Sequence, residues 1–296
     1  MSDTYELLCS GERVVIERIG DDVFFHNYNP EVDLAMEALG DDPSPCFIVW
    51  KALEDDTLDQ DLSEYAFDGG PVLVGALLFA GADAEAKESE ALVVALEAVN
   101  HVPKKNKPVI RLLLEAGADP DVTQGLCLRN AIASNDPEIV EMLLEYGADP
   151  ELPGALVRAI HDNNEAIVAL LIEHGADVEA NENAALTTAA NYGYTDIVDT
   201  LIASGAGQTV SLEEPLDAAA TEGHADIVER LIAAGAYVAG IGNNALEYAI
   251  LNAHHDVVVL LLENGVQLPD GAPEEAMYAY DHGNYEYAAD VLIGEG

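Results

Sequence analysis

The chain has 296 residues, half of them apolar, enough to bury a large core. Fifty-six acidic residues against eleven basic ones give a formal net charge of −45. Such a surface repels nucleic-acid phosphates and anionic membranes, so neither direct nucleic-acid binding nor membrane association is expected.

The amino terminus, MSDTYELLCS, is acidic and lacks the charged-then-apolar pattern of a secretory signal. Cys9, Cys46 and Cys127 lie far apart without metal-type spacing, which argues against a disulfide framework or zinc site and fits a cytoplasmic protein. The runs YELLCS, ERVVIERI and DVFFHNYN are short and β-rich, PEVDLAMEAL reads as a helix, and CFIVWKAL is apolar. Residues 1–57 are therefore expected to form a small α+β domain or cap packed on the rest of the chain.

Residues 54–68, EDDTLDQDLSEYAFD, hold seven acids but lack the spacing of a calcium loop, so a solvated face is expected. The longest apolar run, GGPVLVGALLFAGA at 69–82, is broken by glycine and proline and is too short to cross a membrane. It reads as a core helix.

From residue 58 a period governs the chain. Glycines follow an apolar helix at Gly81, Gly117, Gly147, Gly175, Gly205, Gly235 and Gly265, mostly 30 residues apart. Self-similarity at that period marks a stacked repeat. The helices before the glycines, such as EIVEMLLEYG and DIVERLIAAG, carry their apolar residues on one face. Asp136-Pro137 offers an N-cap with proline in the first turn, and Thr195 is expected to cap its own helix. Each glycine is expected to end its helix in a left-handed conformation. Ahead of each leucine pair lies a shorter, alanine-rich helix: ALVRAI, ALTTAA, PLDAAA, ALEYAI. Small side chains there allow close approach between units, and a single pair cannot bury both its faces. Eight units are counted, the second with an insertion between its helices at 101–108, HVPKKNKP, and the last rich in tyrosine as a capping unit.

The segment EPLDAAATEGHADIVERLIAAGA at 214–236 resembles an ankyrin repeat, and AALTTAANYGYTDIVDTLIASGAG and GALVRAIHDNNEAIVALLIEHGAD resemble it nearly as well. The resemblance implies a mainly α fold: an ankyrin-type α-solenoid of about eight helix-turn-helix repeats over 58–296. Most units are about three residues shorter than the family's, with the shortfall where the family has a projecting β-turn finger. Short fingers are expected, which shifts the expected contact surface to the concave face. The resemblance implies that the two residues after each alanine pair line that face: His161 and Asp162, Asn191 and Tyr192, Thr221 and Glu222, Leu251 and Asn252, Asp281 and His282. An earlier unit gives Phe67 and Asp68, and another Ala133 and Ser134.

No phosphate loop, nucleophile elbow or HExxH is present, and neither cofactor nor metal is expected. His224 and the pair His254-His255 fall where the family's histidine ties a turn. Charge is uneven: residues 76–135 carry only −2, against −15 before and −28 after them. The six basic residues in that nearly neutral stretch are expected either to be chance clustering or to face a partner or the acidic amino-terminal part. The function expected is a non-catalytic protein-protein interaction module acting on a protein partner. The alternative is an acidic inhibitor that imitates a polyanion and blocks a nucleic-acid- or nucleotide-handling enzyme. Acids clustered on one face favour that inhibitor, and an even spread favours adaptation to high salt.

Overall fold

The computed structural model describes residues 3–9, 12–19, 22–26, 44–68, 70–100, 103–237 and 244–294. It divides into two compact units, Met1–Leu152 and Pro153–Gly296. The helix expected at 30–39 lies outside the described residues.

The first unit opens with an antiparallel meander of β1 (Asp3–Cys9), β2 (Glu12–Ile19) and β3 (Asp22–His26). Leu7 pairs with Val14 and Tyr5 with Ile16, so one face carries all four; Leu7, Val14 and Ile16 are buried. Helix α1 (Pro45–Asp55) starts at Ser44, whose hydroxyl accepts the Phe47 amide, with Pro45 in the first turn.

Three helix pairs follow: α2 (Leu58–Asp68) with α3 (Gly70–Ala80), α4 (Ala86–Glu97) with α5 (Pro103–Glu115), and α6 (Val122–Ala133) with α7 (Pro137–Glu145). First helices pack on first helices and second on second, while the sheet and α1 cover α3. Gly75 is what admits the sheet: a Cβ there would lie 2.5 Å from the Tyr5 hydroxyl. That hydroxyl donates to the Val72 carbonyl at 3.2 Å, and the Tyr5 ring meets Phe79.

The second unit contains five pairs: α8 (Ala155–His161) with α9 (Glu165–Glu173), α10 (Ala180–Tyr192) with α11 (Thr195–Ala203), α12 (Glu213–Glu222) with α13 (Ala225–Ala233), α14 (Asn244–Leu251) with α15 (His255–Glu263), and α16 (Glu274–Asp281) with α17 (Tyr285–Gly294). The inner helices α8, α10, α12 and α14 pack in series, as do the outer helices α9 to α17; the last pair docks mainly through α17. The described residues thus hold eight pairs, the expected number.

The Gly-Ala-Asp repeat has a complete local explanation. All seven repeat glycines have positive φ, between 86° and 115°. Each donates to the carbonyl three residues back, and the next residue donates to the leucine five back, as in Gly175 to Ile172 at 3.0 Å and Ala176 to Leu171 at 2.9 Å. This paired closure satisfies two of the carbonyls that a helix end leaves open. The following alanine is buried at positions 82, 118, 148, 206 and 236. The aspartate then accepts the amide two residues on: Asp83 from Glu85, Asp119 from Asp121, Asp149 from Glu151 and Asp177 from Glu179. Glycine stops the helix, alanine fits under it, and aspartate fixes the crossing.

Three crossings hold three consecutive residues at positive φ: Lys87-Glu88-Ser89, Thr123-Gln124-Gly125 and Asn181-Glu182-Asn183. Left-handed backbone costs a side-chain-bearing residue about 1–2 kcal/mol, so each such turn needs outside support. Ser89 accepts the Asp119 amide, and the buried Asn183 donates to the carbonyls of Val210 and Ser211. At these two crossings, where the family has a finger, this chain has a compact left-handed turn bonded to the next repeat.

Two local expectations are corrected. Thr195 does not cap α11; Tyr194 holds that position, and the Thr195 hydroxyl donates to Asp226 one repeat later at 2.7 Å. Residues 103–108 are not a separate insertion but lengthen α5 to 13 residues, against nine in α7.

Candidate functional site

In each of the last six pairs a single residue of positive φ turns the chain from inner to outer helix: Asn135, Asn163, Gly193, Gly223, Ala253 and Gly283. The two residues ahead of it are those expected to line the contact face. In the second unit His161, Asn191, Tyr192, Glu222, Leu251, Asn252, Asp281 and His282 are exposed, and Asp162 and Thr221 are partly covered. Tyr192 is 44% exposed and Leu251 74%, high values for apolar side chains.

The structure brings several of these together. His161 meets Tyr192 edge to face with centroids 5.4 Å apart, and Tyr192 stacks on Tyr194 at 5.5 Å. Asp162 accepts from Arg158 at 2.8 Å, and that bond, with a smaller contribution from His161, holds its carboxyl below the usual range. His282 lies against Tyr278 with centroids 4.0 Å apart. Others bond the backbone of their own helix. The Thr221 hydroxyl donates to the Asp217 carbonyl, and Asn252 donates to the Tyr248 carbonyl.

In the first unit, Phe67 is 39% exposed and Asp68 exposed at the end of α2, Ala133 is exposed, and Ser134 donates to the Ala131 carbonyl. The Phe67 carbonyl accepts from Asn106, whose side chain is buried against α4.

The sequence reading missed a second row. Five residues before each turn residue stand Arg158, Thr188, Ala218, Tyr248 and Tyr278, a little over one helical turn from the expected positions. Tyr248 is 39% exposed and Tyr278 67%. Helical phase counted back from the turn residue would have found them, since i and i+3 share a face.

The histidines at the turns serve the stack. His224 Nε2 lies 3.2 Å from the Asn191 carbonyl and His254 Nε2 2.8 Å from that of Thr221, each reaching the preceding repeat. His255 opens α15 and faces Asp290 on α17 at 3.1 Å. Of the seven acids of 54–68, Asp61 accepts from Thr57 and Asp59 accepts the Asp83 amide, while Glu54, Asp55, Asp56, Glu64 and Asp68 are exposed. Among the described residues no cluster of three or more His, Cys, Asp or Glu is placed to hold a metal ion. Cys127 is buried, which pushes its thiol up to about 12 and leaves it unreactive. Of the basic stretch, Lys107 pairs with Asp136 and Glu138 of the next repeat, and Lys87 with Glu90. No helix among the described residues is long and apolar enough to cross a membrane.

Residues 128–211 match the family model described as ankyrin repeats, in three copies. Residues 128–211 are ankyrin repeats. Among solved structures it is similar to the ankyrin repeat domain of Bcl-3, described as a unique member of the IkappaB protein family. That match has 23% identity and a TM-score of 0.51, covering 64% of this chain and 92% of the other. It is also similar to an ankyrin repeat domain from Acinetobacter baumannii AYE, at 28% identity and a TM-score of 0.45, covering 56% and 96%. A search of the curated proteins finds no match. The fold expected from the sequence is the one found: mainly α, with ankyrin repeats behind a small amino-terminal sheet. Ankyrin repeats are in general protein-protein interaction modules, and ankyrin repeat domains are typically non-catalytic.

Proposed function

We propose that this protein is a non-catalytic binding module that takes a protein partner on the face formed by the ends of its inner helices, the concave face of an ankyrin stack. The observation that carries this reading is the exposure of large apolar side chains there. Tyr192, Tyr248 and Leu251 stand on inner helices of the second unit among polar and acidic neighbours. Aromatic anchors inside a polar rim are the usual make-up of a protein interface.

The acidity supports no separate inhibitor role. Exposed carboxylates stand on inner helices at Glu222 and Asp281, on outer helices at Asp196, Glu229 and Asp290, and in crossings at Asp177 and Asp270. An even coat of this kind suits a hydrated surface at high salt better than a phosphate-imitating face.

A photo-crosslinking amino acid placed at Leu251, with a control at Glu229 on an outer helix, tests the reading in extract of the native host. A protein crosslinked at 251 and not at 229 is expected. Crosslinking at 229 alone would place the contact surface elsewhere and end this reading.

A further inference from the structure

The inner-helix face of the second unit also says what kind of segment it takes. Residues 153–296 hold 24 acids, two arginines and no lysine. Both arginines are already engaged, Arg158 with Asp162 and Arg230 with Asp199, each at 2.8 Å. The unit therefore presents no uncommitted lysine or arginine. An acidic partner segment would meet uncompensated repulsion on every side. A neutral one would gain nothing from the field.

We infer that the partner segment bound on this face is rich in arginine or lysine and docks its cations over the exposed tyrosines. The inference rests on the proposed binding face. Tyr192 presents one side of its ring to Tyr194 in a stack with planes 15° apart, and is itself 44% exposed. Tyr248 and Tyr278 occupy one register on successive inner helices, with Leu251 and Asp281 three residues beyond them. Glu247 and Asp281 are exposed on the helices of Tyr248 and Tyr278, and Glu222 is exposed on α12 before them. A guanidinium or ammonium laid on a tyrosine face is attracted by the ring quadrupole, and a carboxylate beside it supplies the counter-charge. Carboxylates all over the unit draw a cation in but choose no face. The tyrosines choose it, because Tyr248 and Tyr278 present exposed rings in one register on two successive inner helices.

The test uses the full-length protein and a fluorescein-labelled peptide of alternating arginine and serine, read by anisotropy at 0.15 M and 1 M salt. A second peptide carries citrulline in place of arginine, the same shape without the charge. The triple variant Tyr192→Leu, Tyr248→Leu, Tyr278→Leu keeps apolar surface and net charge but removes the rings. It is expected to bind the arginine peptide about tenfold more weakly. Tyr287→Leu on α17 and Glu229→Gln on α13 are expected to stay within about twofold, and the citrulline peptide to bind no variant. Circular dichroism of each variant confirms folding, as all these side chains are exposed. Equal weakening by Glu229→Gln with no effect of the triple variant would mean diffuse attraction and overturn the inference. Equal binding of the citrulline peptide would overturn it as well. The crosslink at 251 separates the two levels. A crosslinked segment without clustered arginine or lysine would remove the inference and leave the binding face standing.

Discussion

His254 and Gly223 are in forced contact: the imidazole reaches the Thr221 carbonyl at 2.8 Å, and a Cβ on Gly223 would lie 2.5 Å from its Nδ1. Gly223 also has φ of 82°, so an added side chain would be strained even in open space. Gly223→Ala is therefore expected to destabilise the second unit by about 1–3 kcal/mol in urea denaturation. The equivalent residue one repeat later is Ala253, at φ 58°, with Asn284 in place of a histidine in the repeat after it. Ala253→Gly relieves the backbone without disturbing a neighbour and is expected to stabilise by about 0.5–1 kcal/mol. Opposite signs for the two substitutions are the outcome that matters.

The aspartate of Gly-Ala-Asp is expected to act through its turn and not its charge. Asp149 Oδ1 accepts the Glu151 amide at 2.9 Å. Asp149→Ala is expected to cost about 1 kcal/mol, and Asp149→Asn, which keeps the acceptor, much less. Equal losses in thermal melts would point to charge instead.

Glu179 gives the pH prediction. Its carboxylate accepts from the hydroxyl and amide of Thr209 and the amide of Val210, which hold it at about 2, below its usual 4.5. The folded value is the lower one, so the stabilisation is complete above about pH 4.5 and disappears as pH falls toward 2. Glu179→Gln should melt lower than wild type at pH 7, with the gap closing between pH 4.5 and 2. A constant gap across that window would show that the crossing does not depend on the ionised carboxylate.

Exposed residues of the proposed binding face should be dispensable for folding. Leu251 is 74% exposed, and Leu251→Ser is expected to shift unfolding by no more than about 0.5 kcal/mol. The same variant should weaken partner capture. A large loss of stability would assign Leu251 to packing.

Much of the fold was legible because the backbone itself demands particular residues. A helix that must stop and cross needs positive φ, hence the glycines at 30-residue steps, and stacked inner helices need small side chains, hence the alanines. The supports of each crossing were not legible. Glu179 and Thr209, or Ser89 and Asp119, meet across a whole repeat, and their residue types do not recur from unit to unit. Thr195 misled for the same reason: a hydroxyl at a helix start reads as a cap, and only the stacked neighbour shows that it donates to Asp226. Of the proposed face, the pair after each alanine doublet was read from the sequence, but Tyr248 and Tyr278 were not, because the doublet fixes the chain direction and not the helical phase.

The contact between His254 and Gly223 recurs between His224 and Gly193, where a Cβ would lie 2.7 Å from the ring. In the other junctions of the second unit Tyr194 comes after Asn163 and Asn284 after Ala253. A repeat that brings a histidine can thus be seated only behind a repeat that ends its inner turn with glycine. Duplicating residues 224–253 in tandem would press an imidazole against the methyl of Ala253, whereas duplicating 194–223 would place the second Tyr194 behind Gly193. The modules of this protein are alike in shape but not freely interchangeable, and their order along the chain is written into the junctions.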